Sequence, residues 1–136
     1  MWSKVAGGTN HAVALKTDGT LWIWGRNQYG QLGVSDVVSR SSPVQVGTLT
    51  TWTNIGAGDN HALAITSGGT LWAWGKNKRL SNYYGQLGLG DVIYRSSPTQ
   101  VGTLASWVEA LGGRSNTSLA LLWPPGTTPT APDAPY

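Results

Sequence analysis

The residues able to do acid–base or ligand chemistry are few, and they recur at fixed spacings. His11 and His61 are the only histidines and stand 50 positions apart. Asp36 with Arg40 returns 55 positions on as Asp91 with Arg95, each pair inside Asp-Val-x-x-Arg-Ser-Ser-Pro. A catalytic or metal-binding pair needs its members to converge, whereas repeat-equivalent positions belong to separate units. The histidines therefore read as turn residues whose ring nitrogens bond backbone carbonyls; the third copy offers Asn116 or Thr117 there. A cation wants several convergent oxygens, and one carboxylate per unit falls short, so the Asp–Arg pairs read as loop braces. Gly30, Gly33, Gly85, Gly88 and Gly90 are turn glycines, because no Gly-x-Gly-x-x-Gly opens a helix and no Lys-Ser/Thr follows. With no cysteine, no Ser-His-Asp set and no carboxylate pair, the expectation is a protein that is not an enzyme and uses no cofactor or metal.

What positions these residues is a repeat. Trp2, His11 and Trp24 recur at Trp52, His61 and Trp74, each 50 positions on, and Gln31, Pro43 and Trp52 recur at Gln86, Pro98 and Trp107, each 55 on. The unit is thus about fifty residues, and the second copy gains five near 78–82. This divides the chain into unit one at 1–51, unit two at 52–106, a partial third copy at 107–123 and a Pro-rich tail at 124–136. In the third copy Trp107–Gly113 matches Trp52–Gly58 and Ser118–Leu121 matches Ala62–Ile65, but no Gly-Thr-Leu-Trp follows.

Composition narrows the class. Nineteen glycines and eight tryptophans without a phenylalanine suit a turn-rich β protein, and the 136 residues can bury a core. Only 11% of residues are charged, low for the surface of an isolated globule. The net charge of +3 is scattered rather than clustered on one face, which argues against a dedicated nucleic-acid binder. There is no apolar run of membrane-spanning length and no signal-like leader after Met1, and the compartment stays open.

Each unit reads as four short strands: Trp2 to Gly7, His11 to Lys16, Leu21 to Gly25, and a fourth around Val44 to Gly47. Asp18-Gly19 supplies the positive φ values of a tight hairpin. Pro43 and Pro98, lacking an N–H, suit a strand's first position or an edge. In Leu21-Trp22-Ile23-Trp24 the side chains alternate, yet both faces are apolar, so the sheet must be covered on both sides. A fifty-residue period with strand content marks a propeller or array. The pattern Trp-x-x-Ile-x-x-Gly-x-x-His-Ala-Leu-Ala-Ile, then Gly-Thr-Leu-Trp-Ala-Trp-Gly-x-Asn, Tyr-Gly-Gln-Leu-Gly-Leu-Gly-Asp and Arg-Ser-Ser-Pro-x-Gln-Val, resembles the regulator of chromosome condensation repeat over residues 2–123. The resemblance implies an all-β, β-propeller-like fold of four-stranded blades, usually seven. Here there are two blades plus a partial third, a count that oligomerisation would complete.

Two blades leave Trp-rich faces open, and no polar cap of the kind that ends a solenoid is visible. The expected partners are other copies of this chain, in a ring or filament, with Met1 directly before Trp2 favouring that reading; the alternative is the rest of a longer propeller. Trp22, Trp24, Trp72, Trp74, Trp123 and Tyr136 are the expected subunit or partner contacts, Tyr136 as the anchor of an extended Pro-rich arm or the end of a loose terminus. The insertion brings Lys76, Lys78 and Arg79 near Tyr83 and Tyr84, either a loop for a glycan or protein partner or a tolerated insertion. The leading expectation is a self-assembling structural or binding module, a scaffold, decoration or adhesion protein of the kind found in virions or extracellular filaments. A carbohydrate-binding propeller with sugars stacked on indoles is the alternative. The family's namesake activity, nucleotide exchange on a small GTPase at chromatin, needs specialised loops that do not map onto this sequence.

Overall fold

The computed structural model describes residues 1–78, 85–113 and 117–122. All of its regular elements are strands, in three antiparallel sheets. The first sheet has the order β1 (Trp2–Gly7), β2 (His11–Lys16), β3 (Leu21–Gly25), β4 (Arg40–Gln45). The second repeats it as β5 (Trp52–Ala57), β6 (His61–Thr66), β7 (Leu71–Gly75), β8 (Arg95–Gln100). Among the described residues the third holds β9 (Trp107–Gly112) and β10 (Ser118–Leu122). A sequential four-stranded meander, repeated side by side, is the blade of a β-propeller, and the molecule is a partial one.

The first three strands of each unit fall where the alternation places them. The fourth does not: it begins at Arg40 and ends at Gln45, earlier than the Val44–Gly47 stretch. The Asp36–Arg40 brace turns the chain so that Arg40 already faces Gly25, and a register shift between Ile23 and Gly25 brings Val44 opposite Ile23. Pro43 and Pro98 therefore sit inside β4 and β8, at the sheet edge where a missing N–H costs no ladder bond.

The two faces of each blade differ, and they stack in one direction. Val13, Leu15, Leu21 and Ile23 of the first sheet pack against Trp52, Ile55, Ala62, Ala64 and Trp74 of the second. Leu63, Ile65, Leu71 and Ala73, on the second sheet's other face, meet Ala110 and, at the margin, Trp107 and Ala120. Each blade thus offers an aliphatic face to the blade after it and a tryptophan face to the blade before it. The first strands also link blade to blade: Lys4 Nζ donates to Asn54 Oδ1 at 2.8 Å, and Asn54 Nδ2 donates to the Val108 carbonyl at 3.3 Å.

Candidate interaction surfaces

The seam between the first two blades defines how this chain contacts a neighbour. Trp74 is fully buried in it, and its Nε1–H donates to the Gln31 carbonyl at 3.0 Å. The loop after β3 makes this possible by laying Gly33 flat against the indole: a Cβ at Gly33 would stand 2.6 Å from Trp74 Nε1. The same loop crosses the start of β8, where Ser35 N–H donates to the Ser96 carbonyl at 2.7 Å and Tyr29 packs edge-on against Tyr94.

An asparagine holds that loop in shape. Asn27 is fully buried, and its Nδ2 donates to the Asp36 carbonyl, Asp36 Oδ1 and the Val38 carbonyl at 2.9–3.1 Å, while its Oδ1 accepts from the Leu32 N–H at 2.9 Å. Asn77 repeats the bonds to Asp91 and Leu87. Arg40 and Arg95 pair with Asp36 and Asp91 at 2.6 Å, so the Asp–Arg pairs are loop braces. The Val38 N–H on Asp36 and the Ile93 N–H on Asp91, then the arginines, hold both carboxylates below their ordinary range. The sequence shows Gly-x-Asn after each Trp-x-Trp, but its role as the loop's hub emerges only when the loop's backbone is in place.

The histidines line the same side of successive blades. Each ring lies on the glycine three residues before it: a Cβ at Gly58 would meet His61 Cε1 at 2.0 Å, and one at Gly8 would meet His11 Cε1 at 2.2 Å. His61 Nε2 is 2.9 Å from Ser118 Oγ, whose single proton goes to the Gln86 carbonyl at 2.6 Å, so His61 carries its own proton on Nε2. The His11 ring lies against the His61 main chain without reaching ordinary hydrogen-bond geometry. Burial pushes both imidazoles down from 6.5 to about 4, against the opposing pull of Asp59 and nearby main chain; His11 adds to the depression at His61. Among the described residues no group of three His, Cys, Asp or Glu side chains is poised to hold a metal.

A pH dependence follows. The native rings stay neutral down to about 4, while in the unfolded chain they take up protons below 6.5. Stability should be level above pH 6.5 and fall steadily as pH drops towards 4, because the unfolded state then binds more protons. The depressed aspartates lose their contribution only below their ordinary value of 3.8, a separate window. Urea midpoints at pH 7, 5.5 and 4.5 check this, and the variant His11→Gln should flatten the slope between the first and last.

Among the described residues the two ends of the stack are uncovered, as equivalent positions show. Trp2 is 47% exposed where Trp52 is 3%, and Val5 is 61% exposed where Ile55 is 1%. At the other end Leu119 is 51% exposed where Leu63 is 2%, and Leu121 is 46% exposed where Ile65 is 1%. One end is thus a tryptophan face and the other an aliphatic face, the same two surfaces that meet between blades one and two. Lys16 lies over the Trp22 ring at 3.8 Å and over Trp2 at 5.0 Å, a partial polar cover that the sequence did not reveal.

Of the residues expected at partner contacts, Trp22 and Trp24 lie half-buried on the open tryptophan face beside Trp2. Trp72 packs edge-on against Trp52, and Trp74 is wholly enclosed within the chain. Lys76 stacks on Tyr29 at 4.6 Å, bracing the two blades, and Lys78 is exposed. Arg79, Tyr83, Tyr84, Trp123 and Tyr136 lie outside the described residues. Val5, Leu119 and Leu121 were not singled out from the sequence, because an isolated valine or leucine in a strand does not say which blade it faces.

Repeated four-stranded meanders stacked aliphatic face to tryptophan face define a propeller protein. The regulator of chromosome condensation (RCC1) repeat matches residues 18–65, and a second profile of the same repeat matches residues 2–31 and 52–86. The chain belongs to the regulator of chromosome condensation repeat family. Among curated relatives, it is 48% identical over 44 residues to the ultraviolet-B receptor UVR8 of Arabidopsis thaliana, covering 32% of this chain and 10% of that protein. It is 45% identical over 49 residues to the probable E3 ubiquitin-protein ligase HERC3 of Homo sapiens, covering 36% of this chain and 5% of that protein. The chain thus spans a tenth or less of the length of these relatives. Among solved structures, human WBSCR16 superposes with a TM-score of 0.72 at 26% identity, covering 90% of this chain and 31% of that one. Prp20p of Saccharomyces cerevisiae, described with its binding to Gsp1p and histones, gives a TM-score of 0.70 at 19% identity over 88% of this chain and 30% of that one, a likeness of fold alone.

Proposed function

We propose that the chain is a non-catalytic, self-assembling interaction module that joins copies of itself head to tail, acting as a scaffold or decoration protein. One observation carries this reading. The tryptophan face exposed at Trp2 and Val5 and the aliphatic face exposed at Leu119 and Leu121 are the two halves of a contact the chain already makes internally. An exposed apolar patch at each end marks an interaction surface, and a patch complementary to a different patch on the same molecule makes a heterologous contact that closes into a ring or runs on as a filament. The use of this fold for binding proteins in Prp20p supports a partner-binding role. The assembling units are the repeats 1–51 and 52–106, with 107–123 as the shared joint.

A mixing experiment tests the head-to-tail geometry. Val5→Arg places a charge on the tryptophan face and Leu119→Arg on the aliphatic face, both at exposed positions that leave the internal seam intact. Each variant alone should be monomeric, and an equimolar mixture should form a dimer, because each supplies the face the other has lost. A mixture that stays monomeric while the unaltered chain associates would sink the heterologous arrangement.

A further inference from the structure

Among the described residues the third sheet has two strands, and the space beside it matches the Trp74 seat residue for residue. Gly85-Gln86-Leu87-Gly88 stands to the second blade as Gly30-Gln31-Leu32-Gly33 stands to the first, and Val101 answers Val46. In the first seam these residues hold an indole: Trp74 Nε1–H bonds the Gln31 carbonyl, the ring covers Gly33, and Gly33 is buried. In the second there is a cavity of about 400 Å³, lined by Gln86, Leu87, Gly88, Val101, Ser118 and others. That lies within the range of roughly 300–1,000 Å³ usual for ligand sites. Gly88 is exposed, and a Cβ there would meet only Val101 Cγ1, at 3.4 Å, where Gly33 meets the indole.

Two further features point to the same missing element. In the second blade Trp74 pairs across the ladder with Ala62, and the residue equivalent to Ala62 in the third sheet is Ser118. Ser118 Oγ donates to the Gln86 carbonyl at 2.6 Å, taking the acceptor that corresponds to the one used by the indole of Trp74. In addition, among the described residues β10 pairs only with β9, so its other side offers main-chain groups for a further strand. The spacing of 12 that separates Ala62 from Trp74 falls, counted from Ser118, on Thr130 between Pro129 and Pro132. The chain's own sequence therefore places no indole at that register, and prolines are poor ladder partners.

We propose that this cleft is a seat for an extended segment of another polypeptide carrying Trp-x-Trp-Gly, which adds to β10 as a third strand and lays its second indole over Gly88 beneath the Gln86 carbonyl. Main-chain pairing supplies affinity and the indole pocket supplies selection, the general logic of strand addition. The occupant is set by continuity with the first seam, where the equivalent cradle already holds that segment. A whole second blade cannot take the place, because β9 and β10 already occupy the positions of its first two strands.

The probe is the nine-residue peptide of this chain's own residues 69–77, Gly-Thr-Leu-Trp-Ala-Trp-Gly-Lys-Asn, labelled and titrated with the intact chain. Saturable one-to-one binding is expected. Alanine in place of the peptide's second tryptophan should weaken it by more than about tenfold, as removal of a buried anchor does. Ser118→Ala should tighten it by about 2–10-fold, since the hydroxyl no longer competes for the Gln86 carbonyl. Gly88→Val, its fold checked by circular dichroism, should abolish it. Absence of saturable binding, or equal binding of the alanine peptide, overturns the proposal. Dissociation of a pre-formed oligomer by the peptide would instead make a second copy the occupant, and overturns it too. Val5→Arg, on the first blade and away from β10, should leave peptide affinity unchanged while it blocks self-association, so failure of the self-assembly reading and failure of this one are told apart.

Discussion

Replacing Trp74 by alanine is expected to destabilise the chain by about 3–5 kcal/mol, the range for emptying a large aromatic site in a core. The side chain has no exposed surface, fills the seam between the first two blades and covers Gly33. Its loss also strips the Gln31 carbonyl of its indole partner in a buried setting. Chains of this size commonly hold only about 5–15 kcal/mol in all, so the variant should be unfolded in part at ambient temperature. The repeat-equivalent change Trp24→Ala supplies the internal control. Among the described residues no blade packs on the Trp24 face, and Trp24 is only half-buried, so about 1–2 kcal/mol is expected from the smaller area it removes from water. Urea titrations of both variants, followed by circular dichroism below the association range, check the contrast. Equal costs at the two sites would mean that Trp74 is not held by the blade before it.

The second large effect is at Asn27. One side chain there ties together the turn at Leu32, the carbonyls of Asp36 and Val38, and the Asp36 carboxylate. Alanine leaves the buried Leu32 N–H without its acceptor, and an orphaned buried donor costs about 1–3 kcal/mol by itself. With the loop's other bonds loosened, a total of about 2–4 kcal/mol is expected. The loss should reach across the seam, because this loop carries Gln31 and Gly33 to Trp74 and Ser35 to Ser96. Hydrogen exchange distinguishes a local from a transmitted effect: protection should fall in β8 as well as in the loop. Aspartate at the same position should do worse than alanine at neutral pH, since it sets a second carboxylate beside Asp36 and cannot donate.

The strands and their stacking were readable from Trp22-Ile23-Trp24 because a period of two with no polar face admits only a sheet covered on both sides. The start of the fourth strand was not, because it depends on the Asp36–Arg40 brace and the register shift at Gly25, both tertiary in origin. Nor could the alternation say which face looks forwards. That direction separates Trp74, enclosed, from Trp24, half-open, though the two sit at the same place in the repeat. The histidines do not bond turn carbonyls as their place in the repeat suggests: they open β2 and β6, His61 Nε2 meets Ser118 Oγ, and the His11 ring is packed without a hydrogen bond, an arrangement that depends on Gly8 and Gly58 lying against the rings. The recurrence of Asn27 and Asn77 is visible in the repeat, but the role of Asn27 is not, because its partners are mainly backbone groups, which leave no mark in side-chain patterns.

The central claim is that the two open ends recognise each other. Sedimentation equilibrium of the unaltered chain across a wide concentration range tests it most directly. The mass should rise above that of the 14.4 kDa chain with concentration and fall back to it in the Val5→Arg variant. A single species of one chain's mass at every concentration, unaffected by Val5→Arg, would contradict it.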